Sequence, residues 1–333
     1  MREAEKQEAH PERYYQATKP LKTFEDIEGV IDDFPVKTVA VAPAQDRAVL
    51  SAVTEAKAKS IATPLLVGDE KEILTLAEAM ELELDRDSIV HVPGDLDAAA
   101  RAVKMVSSGE AHIVMKGYIH TDDFLRAVLN KEWGLRTQAT MSHVFVWETL
   151  QFDRFTFVTD AAMNIAPDLV TKANIIMNAV HVVRMFGVME PRVAVLAAVE
   201  LVNPKMPATV DATCLAKMCD RTQYSTPCII DGPFALDNAL SVAAAKHKKI
   251  GGDVAGRADI LVVPDIEAGN MLAKSFVYLT GGNMAGVIVG ARVPVVLTSR
   301  ADTARSKLYS IATAVLMSGF ERQLEVKIGR VHY

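Results

Sequence analysis

From Val293 to Leu308 the chain reads VPVVLTSRADTARSKL: an apolar, β-branched run that ends in a hydroxyl, a guanidinium and a carboxylate at Ser299, Arg300 and Asp302, then turns basic and helical. In parallel α/β proteins, ligands bind beyond the carboxyl ends of the strands, against the first turns of the helices that follow. A helix start offers unpaired N–H groups and the positive end of a dipole, which suit phosphate. Arg300 would add a planar fork that meets two phosphate oxygens at once. The chemistry suggested is capture of a phosphate-like anion beside a hydroxyl and a carboxylate. From these residues alone a plainer account stays open, with Ser299 in a turn, Asp302 capping the helix and Arg300 on a solvated surface.

Three further stretches could build the same kind of corner. MKGYIHTDDFL sets Lys116 and Gly117 at a strand end and Thr121 at a helix start, with Asp122 and Asp123 in its first turn. GLRTQATMSHVFVWE carries Arg136, Ser142 and His143, the last at the head of a strand pattern. In PDIEAGNMLAKSF, Gly269 permits close backbone approach, while Asn270 and Lys274 lie one helical turn apart. The cluster Lys246, His247, Lys248 and Lys249 reads as a solvated helix end. No HExxH or comparable cluster occurs, so no protein-bound metal is expected. Neither a Walker A sequence nor a GxGxxG after a strand is present.

The elements that must position these residues alternate. Short β-branched runs at 36–44, 63–69, 88–94 and 111–117 are each followed by helical spacing, at 46–59, 71–80, 96–106 and 121–129. That is βαβ repetition and predicts a parallel sheet with right-handed crossovers. Between 142 and 160 two strand patterns follow one another too closely for a crossover helix, which predicts an antiparallel pair or a domain crossing. Alternation resumes with helices at 167–186, 210–221, 235–247 and 269–280, strands at 192–200, 226–233, 258–265, 285–291 and 293–299, and a last helix from near Asp302. The expected fold is α/β: two α/β domains with mainly parallel sheets and an interdomain cleft. Residues 1–34 read as a charged, irregular arm, 35–150 plus 298–333 as a first domain and 151–297 as a second.

Composition narrows the partners. Half of the 333 residues are hydrophobic, only 6% are aromatic, and the net charge is −6, which argues against a broad nucleic-acid surface but allows a local basic pocket. Cys214, Cys219 and Cys228 lack CxxC spacing and read as reduced core thiols. The first residues have no apolar signal region, and no run is long enough to span a bilayer. A cytoplasmic protein with small-molecule partners, no nucleic acid and no membrane is expected.

Seven ordered motifs, among them AVAPAQDRAVL, MKGYIHTDDFLRAVL, LRTQATMSHVFVWE, ADILVVPDIEAGNMLAKSF and VVLTSRADTARSKLYSIATAVL, resemble the phosphate acetyl/butyryltransferase family over roughly 36–315. The similarity lies nearest its phosphate butyryltransferase branch. The resemblance implies reversible conversion of a short-chain acyl-CoA and phosphate to acyl phosphate and CoA, by direct transfer in a ternary complex. It also implies an isocitrate/isopropylmalate dehydrogenase-like fold, coenzyme A as substrate with no tightly bound cofactor, and a homodimer or higher homo-oligomer. It puts Ser299 and Arg300 at the reaction centre with Asp302 as the nearby acid, and Lys116, Gly117, Ser142, His143, Gly269, Asn270 and Lys274 around the substrates, to which the residues' own pattern adds Thr121 and Arg136. Where acetyltransferase members carry a carboxylate base further into the last helix, this chain has Ser306. Two other readings compete: a dehydrogenase of the isocitrate/isopropylmalate type, which would need metal-binding aspartates, and a noncatalytic module that senses CoA or acyl phosphate.

Overall fold

The computed structural model describes residues 19–149, 151–319 and 331. The chain opens with α1 (Phe24–Ile31), then alternates β1 (Lys37–Ala42), α2 (Arg47–Ala58), β2 (Ala62–Gly68), α3 (Glu70–Glu78), β3 (Ile89–His91), α4 (Asp95–Ser107), β4 (Ile113–Lys116) and α5 (Thr121–Val128). Two strands follow without a helix, β5 (Ser142–Glu148) and β6 (Thr156–Thr159). Alternation returns with α6 (Leu169–Met185), β7 (Arg192–Leu196), α7 (Pro207–Asp220), β8 (Ile229–Phe234), the pair α8 (Leu236–Leu240) and α9 (Val242–His247), then β9 (Ile260–Val262) and α10 (Ile266–Ser275). The chain then returns through β10 (Asn283–Val289), β11 (Val295–Val296) and α11 (Ala304–Ser318).

Short polar residues start many of these helices. Asp46, Asp69, Asp168, Asp265 and Thr303 each accept a hydrogen bond from an N–H in the first turn of the helix that follows, filling donors that have no partner inside the helix. The single helix expected at 235–247 is two, because Ser241 ends α8 and caps α9. The last helix is capped by Thr303 rather than Asp302, which leaves Asp302 for another task.

All eleven strands hydrogen-bond in one sheet, ordered β3-β2-β1-β4-β11-β10-β5-β6-β9-β7-β8. The expectation of a chain crossing between separate sheets is therefore corrected: the ladder is continuous. Its two wings are parallel, and its centre, β11-β10-β5-β6, is antiparallel. The close succession of β5 and β6 is this antiparallel pair. Reversal at the centre makes the two parallel wings run in opposite directions.

α11 is buried from Lys307 to Ser318 and packs beside α1 and α2, as expected of a helix apolar on nearly all sides. The segment expected to be an irregular arm is corrected over 24–31, where Phe24, Ile27 and Ile31 dock α1 into the main core. Phe24 stacks on Tyr309 at 4.1 Å and meets Phe155 edge-on. Residues 1–18 of that arm lie outside the described residues. Cys219 and Cys228 are half-buried as near-core thiols, but Cys214 faces solvent on α7, a correction to its expected burial.

Candidate active site

A cleft of about 400 Å³ opens over the central strands, between the start of α5, the turn after β11, and α10. Its lining includes Lys116, Thr121, His143, Asn270, Lys274, Ser299, Arg300 and Asp302. These come from four separate stretches of sequence. β4 and β11 are adjacent parallel strands, so the loops after Lys116 and after Thr298 emerge side by side. Lys116 Nζ reaches across to donate to the Thr298 carbonyl at 3.3 Å.

The Ser299–Asp302 turn is held from three sides. The Asp302 carboxylate accepts the Ser299 N–H at 2.7 Å, and the Ser299 carbonyl accepts the Asp302 N–H at 3.1 Å. From one turn into α11, Lys307 Nζ donates to the same Ser299 carbonyl at 2.8 Å. Arg300 extends outward over the Tyr118 ring, with a guanidinium nitrogen 3.4 Å from His120 Nδ1.

The electrostatics of this corner are lopsided. Lys116 and Lys307 are 1% and 2% exposed, yet among the described residues neither has a carboxylate within ion-pair distance. Burial, reinforced by the charges of Lys307 and Arg300, pushes the Lys116 ammonium down to about 8. Burial also lowers Lys307, opposed by Asp302 and Asp46. Desolvated ammonium groups without counter-ions carry a cost that an incoming anion relieves.

His143 is fully buried on β5, with Nε2 3.2 Å from the Leu297 carbonyl and its ring edge-on to Phe145. Burial lowers its pKa, so the neutral imidazole is favoured. Gly286 faces it across the strand pair: a Cβ there would stand 2.9 Å from His143 Nε2 and 2.7 Å from the Leu297 carbonyl. The bare backbone at this point lets the ring, β10 and the strand leading to Ser299 share one space.

Four expected site residues lie elsewhere. A Cβ on Gly117 would land on the Pro43 carbonyl, so this glycine serves the packing of two loops. Ser142 is wholly buried and its hydroxyl accepts from Asn178 Nδ2 at 2.8 Å. Gly269 is buried where α10 crosses Ala161 and Val263. Arg136 lines a different hollow, with Thr137, Thr140, Asn164 and Thr171. Lys307 is the functional candidate that sequence reading missed. Its signal was present: it sits four residues after Thr303, one turn into the last helix on the face that is buried. The cleft lining also holds apolar side chains, Phe145, Ala162, Ile266, Ala273, Val277 and Met284, with Lys274 contributed by the same helix as Ile266 and Ala273.

A mixed α/β sheet thus carries a central cleft in which lysine, arginine and serine side chains stand beside apolar ones, a lining suited to an anion next to an apolar group. The chain belongs to the phosphate acetyl/butaryl transferase family, whose model matches residues 94–315. It is 49% identical to the phosphate butyryltransferase of Clostridium acetobutylicum over 299 residues, 90% of this chain and 99% of that protein. Its fold matches the crystal structure of a branched-chain phosphotransacylase from Enterococcus faecalis V583, with a TM-score of 0.73 and 34% identity over 85% of this chain and 99% of that one. A structure assigned as a 4-hydroxythreonine-4-phosphate dehydrogenase from Salmonella typhimurium shares the fold alone, with a TM-score of 0.53, 14% identity, and coverage of 85% of this chain and 100% of that one. The dehydrogenase reading gains nothing further: among the described residues no three His, Cys, Asp or Glu side chains converge as metal ligands.

Proposed function

We propose that this cleft moves a short acyl chain reversibly between coenzyme A and inorganic phosphate. The observation that carries the reading is the buried Lys116, which among the described residues has no carboxylate within ion-pair distance and lines one cleft with Arg300 and Ser299. In the forward direction a phosphate oxygen, held by Lys116 and Arg300, attacks the thioester carbonyl carbon. Negative charge gathers on the carbonyl oxygen, where the Ser299 hydroxyl donates a hydrogen bond. The C–S bond then breaks, acyl phosphate forms, and the sulfur leaves as thiolate in the same positive field before taking a proton to become CoA.

In reverse the thiol must lose that proton. Asp302 and Asp122 are the carboxylates that line the cleft, and we assign the base to Asp302, which stands against Ser299. Lys307 acts by fixing the carbonyl of Ser299, so it positions the turn rather than touching substrate. No acyl-enzyme is required, and gathering both substrates in one cleft lowers the entropic part of the barrier.

The proposal extends to a division of the chain into 35–150 plus 298–333 and 151–297. It also extends to a homodimer or higher homo-oligomer working in the cytoplasm, with acyl-CoA, CoA, phosphate and acyl phosphate as its small-molecule partners. Release of free thiol from butyryl-CoA, followed with DTNB, tests the central claim. Release must depend on added phosphate; a burst of CoA without phosphate would instead indicate an acyl-enzyme.

A further inference from the structure

The cleft has two chemically different sides, and the proposed reaction so far uses one. Strand alternation puts His143, Phe145 and Trp147 on the same face of β5. On β10, Gly286 pairs with Phe145 and Met284 with Trp147, so Met284 faces the same way as these rings. α10 lies over this face and contributes Ala273, 3% exposed, with Val277 just beyond it. Behind them Phe276 stacks flat on Trp147 at 4.3 Å with 1° between the planes. Phe276 is itself fixed, since even a Cβ on Gly282 would stand 2.5 Å from its ring. The result is an apolar recess with a stacked aromatic back wall. It begins at His143, beside the reacting corner, and runs along β5 and β10 beneath α10, which also brings Lys274 to the cleft.

We propose that this recess is the acyl-chain subsite, and that Ala273 and Met284 set its depth. The inference rests on the transferase reading and deepens it by naming what selects the acyl group. One pleat, from His143 to Phe145, spans about 7 Å, so a bare acetyl group would leave most of the wall facing water. An aliphatic chain of several carbons would cover it. Each methylene seated in such a pocket is worth about 10–200-fold in kcat/KM. Ala273 is the gate because its single methyl group leaves the space that a larger side chain would fill. Met284 is the floor because its flexible thioether packs beside the immobile stack.

The test is kcat/KM for acetyl-, propionyl-, butyryl- and hexanoyl-CoA at saturating phosphate, in the unaltered chain, in Ala273→Val and in Met284→Ala, with thermal melts to verify folding. The unaltered chain is expected to favour butyryl over acetyl by at least tenfold. Ala273→Val should cut that butyryl-to-acetyl ratio at least tenfold, and Met284→Ala should move the optimum toward hexanoyl. Chain-length profiles that superimpose on the unaltered one in folded variants overturn the subsite. If one variant does not fold, the other alone decides. Absence of phosphate-dependent CoA release with every acyl-CoA in the unaltered chain defeats the transferase reading instead, so the two failures are distinguishable.

Discussion

At the scale of single residues, the cations carry the sharpest expectations. Lys116 sits below its ordinary 10.5, at about 8, because it is buried and faces Lys307 and Arg300. The folded state thus holds this proton less tightly than the unfolded chain. The cost of burying the ammonium is fully present below pH 8 and is relieved as pH climbs from 8 toward 10.5. Anion capture needs the charged form, so its pH dependence has the opposite sign. The kcat/KM for phosphate should fall as pH passes about 8, and Lys116→Arg should move that limb upward; a profile flat from pH 7 to 9.5 contradicts the role. Arg300→Ala should lower kcat by about 10²–10³-fold with an unchanged melting temperature, because the guanidinium is exposed and holds no core. Lys307 is a different case. Its ammonium bonds the backbone of the reactive turn, so Lys307→Met should depress kcat more than it raises the phosphate KM, with a lowered melting temperature.

Elements matter here through how closely they approach one another. β10 passes under His143 and the Leu297 carbonyl with no side chain at Gly286, and β11 continues from that carbonyl into the Ser299 turn. Gly286→Ala should therefore act at a distance, pushing β11 off β10 and spoiling the turn. We expect a melting temperature lower by several degrees and at least a tenfold loss of kcat, read by calorimetry and the thiol assay. Full activity in that variant would show that the strands can slide without cost. Much at this scale was legible in the sequence. Period-2 runs were placed at 111–117 and 293–299 and helical spacing from 121 and 269, each within a few residues of the elements formed, because strand and helix periodicities are local properties of side-chain order. The start of α11 was misjudged by two residues because Asp302 and Thr303 are both good caps, and only the neighbouring Ser299 N–H and Lys307 decide which of them is free to cap.

For the molecule as a whole, the sheet and its two end helices determine whether a cleft exists. α1, which carries charges along one side, looked dispensable; its Phe24 is completely buried between Tyr309 of α11 and Phe155. Phe24→Ala should cost about 3–5 kcal/mol, measured by urea unfolding, and should loosen α11 and the site that Lys307 anchors. Ligand linkage supplies a second global expectation. An anion that relieves the buried Lys116 ammonium binds the folded chain and not the unfolded one. Phosphate at 100 times its Kd should then add about 2.7 kcal/mol of stability, visible as a raised melting temperature that sulfate reproduces in part and chloride does not.

The sequence by itself determined the α/β alternation and the family, narrowed 142–160 to an antiparallel pair or a domain crossing, and singled out Ser299, Arg300 and Asp302 as a candidate corner, since each is written in short-range spacing and residue chemistry. It could not separate Gly117, Ser142 and Gly269, which pack, from Lys116 and His143, which line the cleft, because all five lie in equally suggestive motifs. Nor could it enlist Lys307 or the Phe145–Ala273–Met284 wall, or foresee that every strand would join one sheet. Those were decided by tertiary structure alone: long-range strand pairing and helix packing choose which side chains share a volume from which water has been removed, and burial in that volume takes the Lys116 ammonium below its ordinary range.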